Sequence, residues 1–202
     1  MKAVILSLRP QWCEKIFNGS KSIEVRKSRP SIPTPFKVYV YCTKKRMTRV
    51  PSMYAYLHKN EPRACAEYGT IETWGKIGDV IVNPHLASKH VSFGMHGKVI
   101  GEFVCDKVDQ IIEATAGICF ADKDFNILDG ENELKKTCLS VDELANYLGE
   151  DKNGLCKNGY AWHITDLKIY DKPKELGEFF DRKGEPIKRA FQSWGYCNGE
   201  EN

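Results

Sequence analysis

The chain has 202 residues, 42% of them hydrophobic, and a net charge of +3. At this length a single domain can bury roughly 70% of its unfolded surface, so neither metal nor disulfide is needed to hold it, and no apolar run approaches the roughly 18 residues of a membrane span. The charge is uneven: residues 1–63 hold 14 Lys and Arg against 3 Asp and Glu, the rest 16 against 24. A polyanion or phosphate-bearing ligand is therefore expected at the N-terminal third.

Ala3 to Leu8 predicts an apolar strand, and Pro10 suits the first turn of a helix to about Asn18, closed by Gly19. Trp12, Cys13, Ile16 and Phe17 share its apolar face, which predicts core packing for Trp12. Ser22 to Arg26 reads as a strand, and Phe36 to Cys42, rich in aromatic and β-branched residues, as a central one. A basic loop from Thr43 to Arg49 leads to a helical stretch around Met53 to Lys59 and an apolar run Val80 to Val82. Strands are predicted at Lys98 to Val108 and Tyr160 to Tyr170. A capping box at Ser140 to Glu143 opens a helix to Leu148, and Lys174 to Phe180 reads as a short helix. Ala190 to Cys197 reads as a closing strand. Short strands separated irregularly by helices predict an α+β fold with a small curved sheet or barrel.

Cys13, Cys42, Cys65, Cys105, Cys119, Cys138, Cys156 and Cys197 form no Cys-x-x-Cys and no zinc-finger spacing. The expectation is reduced thiols, a cytoplasmic location, no membrane contact, no metal and no cofactor. Cys42 and Cys105 read as small core residues. His85, His90 and His96 match neither helical nor strand spacing and read as loop surface. Asp122, Asp124, Asn126 and Glu133 have calcium-loop spacing, but Ile127 stands where that loop needs glycine.

The densest polar cluster is Gly19 to Arg26. Strand alternation places Ile23 and Val25 on one face and Glu24 with Arg26 on the other, and Lys21 reaches the charged side from the bend after Gly19. A lysine desolvated beside an arginine has a lowered pKa, which suits a base or nucleophile. The competing reading is an amphipathic strand with a weak surface ion pair.

The order Ser7-Leu8-x-Pro10-x-Trp12, then Ile16, then Gly19-x-Lys21-x-Ile23-Glu24-x-Arg26 resembles the ASCH domain family, whose signature is Gly-x-Lys-x-x-Glu-x-Arg after an N-terminal helix. The match is dense over residues 4–42. The resemblance implies a single PUA-like β-pseudobarrel domain with flanking helices, an insertion at about 44–97 and a C-terminal extension from about 171. It further implies a cleft lined by the signature that recognises RNA or a nucleotide. Some small members are amidohydrolases that deacylate N4-acetylcytidine with the signature lysine, a threonine and a separate glutamate. Lys21 matches that lysine, whereas Glu24 stands where those members carry threonine.

The expected function is RNA or nucleotide binding in a basic cleft. A hydrolase of acylated nucleosides, or a ribonuclease, using Lys21 and Glu24 is the alternative. Arg26, Lys27, Arg29, Thr43, Lys44, Lys45, Arg46 and Arg49 are expected to meet phosphates, with His163 at the cleft wall and Trp194 stacking a base.

Overall fold

The computed structural model describes residues 2–44, 95–114 and 117–198. Strand β1 (Lys2–Leu8) runs parallel to β3 (Phe36–Cys42) inside a five-stranded sheet. Their largely apolar sequence, interrupted by Lys2, Ser7 and Lys37, reflects burial on both faces. Val4, Leu6 and Leu8 pack with Val38 and Val40 against Cys13 and Ile16 of helix α1 (Pro10–Phe17), whereas Ala3 and Ile5 pack with Tyr39, Leu176, Phe179 and Ile187. Strands β4 (Lys98–Cys105), β8 (Thr165–Lys174) and β9 (Trp194–Asn198) complete the order β8-β4-β3-β1-β9.

A second, antiparallel sheet has the order β2-β7-β5-β6, from β2 (Ile23–Arg26), β5 (Val108–Ala114), β6 (Gly117–Ala121) and β7 (Gly159–His163). Its two faces do different work. Trp162 joins the core between the sheets, whereas Ile23, Val25, Ile111 and Ala161 pack with Leu144 and Leu148 of helix α3 (Val141–Leu148). Helix α2 (Gly130–Thr137) precedes α3, whose capping box at Ser140 and Glu143 forms as the sequence predicts. The result is an α+β fold with two open sheets rather than one closed barrel.

Four predicted elements differ. Lys98 to Val108 ends as a strand at Cys105, and β5 begins at Val108 in the other sheet. Tyr160 to Tyr170 is likewise two strands, β7 and β8, in different sheets. The two crossings lie side by side: His163 N–H donates to Lys107 O at 3.0 Å, and Thr165 Oγ1 donates to Val104 O at 3.0 Å. Lys174 to Phe180 contains only a 3-10 turn, Leu176–Glu178, because β8 extends through Lys174. The last strand begins at Trp194, four residues later than expected. The stretches 53–59 and 80–82 lie outside the described residues. No helix among the described residues is long and apolar enough to cross a membrane.

Three loops share one local device. The carboxylates of Asp122, Asp151 and Asp181 each accept backbone N–H groups two and four residues ahead. Asp122 also accepts from the Asn126 side chain at 2.9 Å, so the calcium-like spacing belongs to a self-contained turn. The left-handed position falls on Gly154 and Gly184 in two of these loops and on Phe125, at φ 63°, in the first. Phe125 is 64% exposed and has little packing to lose. Phe125→Gly is therefore expected to raise stability by about 1 kcal/mol, measured by urea unfolding.

Candidate functional site

Helix α1 ends at Asn18, Gly19 turns the chain at φ +78°, and Lys21 N–H closes the turn on Lys15 O at 2.9 Å. That bend aims Lys21 at the face of β2 that carries Glu24 and Arg26. Lys21 Nζ lies 3.3 Å from Glu24 Oε2, and Arg26 Nη2 lies 2.8 Å from Glu24 Oε1. One carboxylate thus bridges two cations, and all three side chains are less than a tenth exposed. The amphipathic-strand reading fails at this point, because all four β2 residues are buried.

Distant elements complete the cage. Lys21 Nζ donates to Thr137 O at the end of α2 at 2.6 Å and sits 5.2 Å from the Trp12 ring centre. Arg26 Nη2 donates to Ser7 O at 3.0 Å and Nη1 to Ser193 Oγ at 3.3 Å, while Ser7 N–H donates to Ser193 O. Tyr147 of α3 also flanks Arg26; burial pushes its phenol up and the guanidinium opposes the shift. Burial likewise holds the Lys21 ammonium below its ordinary value, and the charge and hydrogen bond of Glu24 only partly restore it. Two buried polar atoms here, Arg26 Nε and Ser7 Oγ, have no hydrogen-bond partner among the described residues.

The remaining expected residues are scattered. Lys27 is exposed, with Nζ 5.4 Å from the Tyr147 ring centre, and Arg29 and Lys44 are exposed too. Thr43 is half-buried and donates its N–H to Leu8 O. Lys45, Arg46 and Arg49 lie outside the described residues. Trp194 is half-buried, its ring 5.8 Å from Trp162 and 5.3 Å from Tyr196, with Nε1 donating to Ser28 Oγ. Trp12 is half-buried as well, packing on the core while its ring meets Lys15 and Lys21, so it borders the charged centre more directly than Trp194 does.

His163 does not join this centre. It pairs in register with Ile23, one residue before Glu24, and so projects from the opposite face of the sheet. There it contacts Asp109 Oδ2 at 2.7 Å. Of Thr137, Ser7, Ser193 and Tyr147, most escaped sequence reasoning because each is brought in by tertiary packing from another part of the chain. Only the Ser7-Leu8-x-Pro10 order flagged one of them.

No protein-family model and no curated protein sequence matches the chain. Solved structures of an ASCH protein from Zymomonas mobilis are similar to it. The protein itself is 14% identical, with 97% of this chain and 87% of that chain covered and a TM-score of 0.49. A tyrosine-to-phenylalanine variant is also 14% identical, at 98% and 91% coverage and 0.49. A serine-to-alanine variant is 13% identical, at 97% and 88% coverage and a TM-score of 0.50. At such identity the likeness concerns the path of the chain. This chain has an ASCH-type fold, built here from two open sheets.

Proposed function

We propose that the chain binds RNA or a nucleotide, with the Lys21–Glu24–Arg26 centre setting the positive potential that receives the anionic ligand. One observation carries this reading: two buried cations share one carboxylate, so the centre holds a net positive charge away from bulk water. A buried charge without full compensation is costly, and an anionic group drawn to it offsets that cost. Exposed Lys27, Arg29 and Lys44 are further cations available to phosphates, and Trp12, beside Lys21, offers an aromatic face.

Anisotropy of labelled single-stranded RNA, titrated at several salt concentrations, tests the reading. Affinity is expected to fall steeply with salt, and Lys27→Ala and Lys44→Ala are each expected to reduce the log–log slope by about 1. Affinity unchanged by salt would overturn it. The lowered pKa of Lys21 favours a second reading, an amidohydrolase of acylated nucleosides in which the neutral amine acts as base and Glu24 orients it. Acetate release from N4-acetylcytidine, lost in Lys21→Met, distinguishes this from binding alone.

A further inference from the structure

On the far face of the second sheet, Asp109 from β5, Glu133 from α2 and His163 from β7 converge. One carboxylate oxygen of each acid and a ring nitrogen of the histidine lie within 4.8 Å of one another. Asp109 is 1% exposed and Glu133 8%, so both are buried carboxylates. Each is only half satisfied. Lys107 holds Asp109 Oδ2 at 2.9 Å and Lys136 holds Glu133 Oε1 at 2.7 Å, but Asp109 Oδ1 and Glu133 Oε2 are buried without a partner among the described residues. Buried carboxylate oxygens without donors are costly, and a cation relieves that cost.

We infer that Asp109, Glu133 and His163 form a site for a divalent transition metal. One imidazole and two carboxylates are the donor set of zinc, manganese and ferrous iron, and too few oxygens for calcium. Ligand atoms bound at about 2.1 Å lie at most about 4.2 Å apart, so a small inward motion of the side chains closes the site. Lys107 and Lys136 have side chains 47% and 37% exposed, so both ammonium groups can swing into water as the metal takes their carboxylates. His163 binds as the neutral imidazole and releases any proton it carries. The site is separate from the Lys21 centre, since the two occupy opposite faces of the β2–β7 pair.

Cobalt(II) titration of the purified chain tests this, read by visible d–d absorption and by melting temperature. The expected result is one cobalt ion per chain, a rise in melting temperature, and no sulfur-to-cobalt charge-transfer band in the near ultraviolet. His163→Gln, at a position whose side chain is 19% exposed, and Asp109→Asn are expected to weaken binding by more than the roughly 10- to 100-fold typical of losing an outer-shell partner. Lys107→Ala and Lys136→Ala, which remove the competing cations, are expected to tighten it. The proposal is overturned by absence of the d–d band, by a thiolate charge-transfer band, or by unchanged affinity in His163→Gln. Weaker cobalt binding in both lysine variants overturns it too, because it would make the cluster an ordinary ion-pair network.

Discussion

Replacing Glu24 by alanine is expected to lower the unfolding free energy by about 3–5 kcal/mol, because breaking a buried ion pair leaves the partner charges uncompensated. Here two cations are stranded at once. Lys21 Nζ would keep the Thr137 carbonyl and the Trp12 ring, and Arg26 would keep Ser7 O and Ser193 Oγ. Lys21→Met is expected to cost clearly less, because Glu24 retains Arg26 at 2.8 Å and a depressed ammonium is removed rather than stranded. Urea unfolding of the two variants measures the ordering. Equal losses would mean that Glu24 does not bridge the cations in solution.

Trp162→Ala is expected to cost a similar amount, about 3–5 kcal/mol, for a different reason. Trp162 is fully buried, meets Phe36 edge-on at 5.5 Å and Trp194 at 5.8 Å, and fills the space between the two sheets. The cavity left by alanine would lie beside the charged centre, because Trp162 pairs in register with Glu24. The proposed RNA binding is therefore expected to weaken together with stability. Trp162→Phe should lose much less, since it keeps a ring and deletes an indole N–H that has no partner among the described residues. If phenylalanine costs as much as alanine, the indole nitrogen rather than its packing matters at this position.

How far the sequence was legible depends on whether a feature is local. Strands β1 and β3 stood out because burial on both faces demands a largely apolar run, and α1 because Pro10, its apolar face and Gly19 agree. The α3 capping box is written within four consecutive residues. The sheet crossings were not legible: two polar residues, Asp106–Lys107, are too short an interruption to separate two strand-like runs, Ile164 is no interruption at all, and only the pairing of β4 and β8 in one sheet and β5 and β7 in the other shows the break. The charged centre was half legible. Lys21, Glu24 and Arg26 lie within six residues, but their burial depends on α1, the end of α2 and the turn before β9. The Asp109–Glu133–His163 cluster left no trace, since its members sit on three elements far apart in sequence and no spacing rule joins them.

The pairing of β9 with β1 has a consequence for biosynthesis. Among the described strands, β1 is the earliest in chain order and is flanked on one edge by β9, with Val4 opposite Tyr196 and Leu6 opposite Trp194. Until residues 194–198 emerge from the ribosome, β1 presents an open, apolar edge, the kind of surface on which nascent chains pair with one another. Ser193, which holds Arg26, arrives in the same final segment. The nascent chain therefore covers the apolar β1 edge and adds the Ser193 contact of the charged centre in the same step, as β9 docks.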